Sequence, residues 1–185
     1  MSESQVKVTN LDNGIRVVSD TMNSVESVSL GAWFGIGTRN ESADVNGVAH
    51  LLEHMAFKGT NGRSAAAIAE EVELVGGYLN AYTSREQTAY YAKLLKDDMG
   101  LGVDILSDIL QNSIFAELEL DRERNVVLQE IGQSADTPDD IIFDYFQSTA
   151  YPDQGLGRPV LGTGEIISKM SRETVIKFIN DNYGG

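Results

Sequence analysis

Five consecutive residues constrain this chain more than any others: His50-Leu51-Leu52-Glu53-His54, which contain the only two histidines in the sequence. On an α-helix, positions i and i+4 lie one above the other on the same face. Glu53, at i+3 from His50, leans over the same spot. The neighbours Val48, Ala49, Met55, Ala56 and Phe57 are apolar, as are Leu51 and Leu52. The segment therefore reads as an apolar helix with one polar face. Two imidazole nitrogens on that face can bind one Zn²⁺, and the order H-x-x-E-H inverts the commoner H-E-x-x-H zinc helix. The plain alternative is two ordinary helix histidines beside a solvated carboxylate.

A zinc ion that performs hydrolysis wants three protein ligands and one open position. The chain has no cysteine and no third histidine, so the third ligand must be Asp or Glu. The best source is a long charged helix predicted over Glu117–Ser134, where Glu123 and Glu130 stand two turns apart on one face. Spacing alone fits a solvated face equally well. Composition narrows the function classes. Lys+Arg of 14 against Asp+Glu of 28 gives a net charge of −14, which argues against nucleic acid and suits a cationic partner. Without cysteine there are no disulfides and no thiolate ligands. No apolar run is long enough to span a bilayer. The 42% hydrophobic content over 185 residues is enough for one domain with a sizeable core.

Along the chain, Val6–Thr9 and Ile15–Ser19 read as strands joined by a tight turn at Asp12-Asn13-Gly14, with Asn-Gly supplying the positive-φ positions. Val25–Phe34 is a third strand. Gly47 opens the His50 helix, and Ser64 is the expected N-cap of a helix over Ala65–Val75. Tyr78–Thr83 and Thr88–Leu94 form a second hairpin around Ser84-Arg85-Glu86-Gln87. Asp97 or Asp98 should cap a helix ending near Asn112. After the long charged helix, Pro138 suits the first turn of another over Asp139–Thr149. Tyr151–Gly164 reads as a loop, long enough to be functional. Ser171 with Thr174 starts a last helix through Phe178, Ile179 and Tyr183. The order fits an α+β domain, with helices packed on one face of a mostly antiparallel sheet. The chain ends after a helix without returning to its sheet, and 1–185 is therefore expected to be one domain of a longer, two-domain chain.

His50–His54, Glu123-Arg-Asn-Val-Val-Leu-Gln-Glu130, His54-Met-Ala-Phe-Lys-Gly-Thr60, Leu79–Tyr91 and Leu11-Asp-Asn-Gly-Ile-Arg16 together resemble the pitrilysin-type (M16) zinc peptidases. The nearest subgroup is the β subunit of the mitochondrial processing peptidase and its bacterial relatives. The resemblance implies the metallohydrolase fold of the processing peptidases and a zinc metalloendopeptidase acting on extended, basic peptides. It implies His50, His54 and Glu130 as zinc ligands and Glu53 as the base that takes a proton from the zinc-bound water. Glu123 would be a carboxylate behind the ligands, orienting a ligand histidine or its helix. Asn80 and Ala81 would lie on an edge strand to which the peptide adds. Asp140 and Asp144, one turn apart, would hold a substrate arginine. Family members are about twice this length, so a complementary C-terminal domain or partner subunit is implied, and the isolated chain should be a poor peptidase.

The rival class is a non-catalytic scaffold or substrate-binding subunit of the same fold, which has no need to keep all four of His50, Glu53, His54 and Glu130. A small-molecule zinc hydrolase fits less well with an edge strand and an acid pair. The opening Met1-Ser-Glu-Ser-Gln carries no presequence, which points to a bacterial cytoplasm, with a trimmed mitochondrial matrix protein as the alternative.

Overall fold

The central helix, α1 (Val48–Ala56), buries six of its nine residues, namely Val48, Ala49, Leu51, Leu52, Met55 and Ala56. That leaves the polar face of His50, Glu53 and His54 as the only break in an otherwise apolar cylinder, as the sequence predicts. The computed structural model describes residues 6–184; Met1–Gln5, on which the reading of the N-terminus rests, and Gly185 lie outside the described residues.

The elements preceding α1 are β1 (Val6–Asn10), β2 (Arg16–Asp20) and β3 (Ser27–Phe34); α2 (Ala65–Leu74), β4 (Tyr78–Thr83) and β5 (Thr88–Leu95) follow it. Helices α3 (Met99–Gln111), α4 (Glu117–Asp136), α5 (Pro138–Ala150), α6 (Gly164–Lys169) and α7 (Arg172–Asn182) complete the chain. Every described ladder is antiparallel. One sheet has the order β3-β5-β4, and β1 pairs with β2 as a hairpin of its own. The hairpin's residues are exposed on both faces, so its valines join neither core.

Helices cover one face of the three-stranded sheet. Tyr90, Ala92 and Leu94 on that face pack with Ile68 and Val72 of α2 and Ile105, Leu106 and Ile109 of α3. Trp33, Tyr78, Tyr82 and Leu95 remain exposed. A second core joins α1 to α4, α6 and α7 through Leu51, Leu52, Leu120, Val127, Ile167, Val175 and Phe178. Each such side chain, fully buried, contributes about 1.5–3 kcal/mol relative to exposure. Because Ala56 belongs to one core and Leu51, Leu52 and Met55 to the other, α1 is held from both sides.

Four local expectations need correction. The first hairpin closes through five residues, with Leu11 N–H donating to Ile15 O at 2.8 Å, and only Gly14 has positive φ (+94°). Asn13 does not take positive φ; its carboxamide accepts Ile15 N–H instead. Asp98 stands at the N-cap of α3 as expected, but makes no side-chain capping bond, because a 3₁₀ turn over Lys96–Asp98 feeds the helix directly. The Tyr151–Gly164 segment contains a 3₁₀ turn at Gly155–Gly157, and its last residue opens α6, capped by Thr163 accepting Ile166 N–H. Helix α6 was missed because it has six residues, starts on glycine and buries only Ile167. Finally, β3 begins at Ser27, since Val25 N–H turns back to Met22 O.

Candidate metal centre

Helix α1 presents the two histidines, and its start is fixed from a distance. Its N-cap, Gly47, sits at φ +96° and offers no side chain. The buried Glu41 takes over: Oε2 accepts Gly47 N–H and the Asn46 amide, and Oε1 accepts Ala49 N–H, each at 2.8 Å. Burial pushes the Glu41 carboxyl above its ordinary range, against the pull of those donors. The Arg158 guanidinium donates to Glu41 O and Asn46 to Pro159 O. A Cβ on Gly162 would lie 2.3 Å from Asn46 O, so the backbones touch. The long 151–164 segment therefore braces the ligand helix.

Helix α4 supplies the acids. Leu120 and Val127, seven residues apart and fully buried, pin one stripe of α4 to the core, and Glu123 and Glu130 follow that stripe. The structure brings His50, His54 and Glu130 together, with one potential ligand atom from each within 4.8 Å of the others. Glu130 Oε2 lies 3.8 Å from His50 Nε2 and 3.6 Å from His54 Nε2. These gaps are too long for hydrogen bonds. They are close to the ligand–ligand separation of about 3.4 Å that tetrahedral zinc bond lengths require. Burial, then the neighbouring His54, lowers the His50 pKa to about 4, so its imidazole stays neutral, the form that binds metal. The donor set and its spacing fit Zn²⁺.

Around these three residues, Glu123 is buried and accepts from His54 Nδ1 at 3.0 Å, while its other oxygen meets Lys58 Nζ at 2.7 Å. Glu53 is mostly buried, with Oε2 lacking any hydrogen-bond partner. Burial holds its carboxyl above the usual range; Thr83 and His54 pull it down, and Glu130 pushes it up.

The residues expected to bind substrate lie nearby on less buried elements. Strand β4 is an edge of its sheet. Asn80 is exposed, and Ala81 turns its methyl into the core. The Asn80 carboxamide donates to Tyr78 Oη and accepts Ala81 N–H at 2.8 Å, so an incoming strand must displace it. Asp140 is exposed in the first turn of α5. Asp144, one turn on, is half-buried and bound by Arg85 at 2.6 Å, a partner the sequence did not reveal. Also missed were Glu41 and Lys58. Glu41 reaches its helix across a loop and carries no local signal. Lys58, four residues after His54, could have been noticed by its helical spacing.

An antiparallel sheet with helices on one face thus carries two histidines opposed to a carboxylate on a second helix, a donor set able to hold a metal ion. The chain belongs to peptidase family M16: the family model described as "Insulinase (Peptidase family M16)" matches residues 16–164. An uncharacterised zinc protease of Rickettsia felis is 45% identical over 176 residues, 95% of this chain and 43% of that protein. The β subunit of the mitochondrial-processing peptidase of Rattus norvegicus is 44% identical over 181 residues, 98% of this chain and 37% of that subunit. A crystal structure of a protease from Helicobacter pylori superposes with a TM-score of 0.93 at 26% identity, covering 98% of this chain and 44% of that one. The chain thus spans less than half the length of these relatives.

Proposed function

We propose that this chain is the zinc-carrying domain of a metalloendopeptidase of the processing-peptidase type, cutting extended, basic peptides. The observation that carries the reading is the convergence of His50, His54 and Glu130 from two helices beside a partnerless, buried Glu53 oxygen. His50 Nε2, His54 Nε2 and Glu130 would hold Zn²⁺. Bound there, the ion supplies a Lewis acid for the scissile carbonyl.

The remaining work falls to the chain's own residues. Glu53 takes a proton from the attacking water and returns it to the leaving amine; its raised pKa suits it to both directions of transfer. Glu123 holds His54 in place. The β4 edge binds the peptide main chain once Asn80 releases Ala81 N–H, giving affinity with little demand on sequence. Asp140 and Asp144 offer a substrate arginine two carboxylates, with Arg85 as the group it must compete with or displace.

The sites on this chain form one wall of a chamber, and a complementary C-terminal domain or partner subunit supplies the other. A bacterial cytoplasm suits such a protein; the mitochondrial matrix is the alternative that its relatives allow. The test is zinc stoichiometry by elemental analysis together with hydrolysis of an extended, arginine-containing peptide. One zinc per chain lost with His54→Ala, and hydrolysis lost with it, is the expected result. A metal-free chain that binds peptide without cutting it would favour the scaffold reading instead.

A further inference from the structure

We propose that Lys58 is a positioning residue of the metal centre, holding Glu123 in the orientation that leaves Nε2 of His54 open to Zn²⁺. The inference rests on the zinc-site reading above.

Glu123 is 5% exposed, and its two oxygens have separate partners. Oε1 meets Lys58 Nζ at 2.7 Å and Oε2 meets His54 Nδ1 at 3.0 Å. A carboxylate can only accept, so Nδ1 carries a proton, and in the neutral imidazole that binds metal Nε2 then keeps its lone pair. That Nε2 is the atom 3.6 Å from Glu130 Oε2. Turning the Glu123 carboxylate away from His54 would break its bond to Lys58 as well. The other ligand histidine has no such device, because His50 Nδ1 is buried without a hydrogen-bond partner. A carboxylate therefore selects the tautomer at His54 alone, and Lys58 stands directly behind that carboxylate.

The backbone holds Lys58 for this task. Helix α1 stops at Ala56 and Lys58 N–H turns back to Met55 O at 3.1 Å. Gly59 then takes φ +117°, and Thr60 is fixed by donating to Asp108 at 2.7 Å and by a bridge to Ser113. Lys58 is thus suspended between the helix end and an anchored turn, its ammonium reaching across to α4. If the pair were only a staple between α1 and α4, removing it would lower the melting temperature and leave metal affinity alone. With 31% of the Lys58 side chain but only 7% of that of Glu123 exposed, losing the lysine leaves a buried carboxylate one partner short, so a lower melting temperature fits both roles and only the metal affinity and the His54 tautomer separate them.

The experiment compares the unaltered chain, Lys58→Met and Lys58→Arg, each with Glu123 intact or as Glu123→Gln. Two quantities are read: zinc affinity by chelator competition, and the His54 tautomer from imidazole ¹⁵N shifts in the metal-free chain. Lys58→Met should weaken zinc binding by about tenfold to a hundredfold and move His54 from the Nδ1–H toward the Nε2–H form. Lys58→Arg should restore most of both, and Lys58→Met should add nothing once Glu123 is Gln. If Lys58→Met does not fold, Lys58→Gln serves under the same criteria. Unchanged affinity and tautomer, or a loss that adds to that of Glu123→Gln, overturns the proposal. If the unaltered chain binds no zinc, it is the zinc-site reading that fails, and the metal-free tautomer still decides the role of Lys58.

Discussion

The two sides of the proposed site, one for metal ligands and one for substrate, are built differently. On the ligand side, α1 and α4 meet through Leu51, Leu52, Leu120 and Val127, none more than 1% exposed. The α1 N-terminus and His54 each have a support behind them: Glu41 behind the first, Glu123 and Lys58 behind the second. On the substrate side, α5 buries no residue at all. Ile142, Phe143, Tyr145 and Phe146 are all more than half exposed, and β4 offers an open edge. Metal chemistry needs its atoms placed within tenths of an ångström, which only a packed core enforces. Peptide recognition tolerates a softer surface, provided another surface completes it.

The largest expected effect lies on the ligand side. Glu53→Gln removes the base while keeping its shape, so zinc should stay bound and turnover should fall by about 10²–10⁴-fold. Elemental analysis beside a peptide assay checks both, and a variant that loses its zinc or keeps full turnover breaks the assignment. Next comes completion of the substrate side. Supplying a complementary C-terminal domain in trans should raise turnover by about a hundredfold or more, since slight misplacement of a substrate costs that much. Full activity from the purified chain alone would show that one wall suffices.

Smaller again is the specificity effect. Asp140→Asn with Asp144→Asn should weaken cleavage of arginine-containing peptides by about tenfold or more, the worth of a charge-assisted hydrogen bond at about 1.5–3 kcal/mol. Arginine-free peptides should be little affected. An equal loss on both kinds would mean that freeing Arg85 disturbs the helix rather than the substrate. Smallest of all, Phe143→Ala, on an exposed face, should change thermal stability by no more than about 0.5 kcal/mol. A larger loss in a melting experiment would mean that α5 is supported in a way its exposure conceals.

What the sequence determined by itself was whatever depends on neighbours in the chain. The stacking of His50, Glu53 and His54 follows from helical geometry once Leu51, Leu52 and Met55 commit the segment to burial. The Ser64 and Ser171 caps, Pro138 at a helix start and the Tyr78–Leu94 hairpin are likewise local. The pairing of α1 with α4, and with it the placing of Glu130 opposite His50 and His54, was legible only as a resemblance. In the structure it arises because Leu120 and Val127 rotate one stripe of α4 onto the core. Tertiary structure alone decided that Glu41 caps a helix whose own N-cap is glycine, that Lys58 stands behind Glu123, and that Arg85 already occupies Asp144. Each of these joins a charged side chain to a group across a loop or on another element. A charge carries no periodicity to reveal its partner, and only packing brings the two within reach.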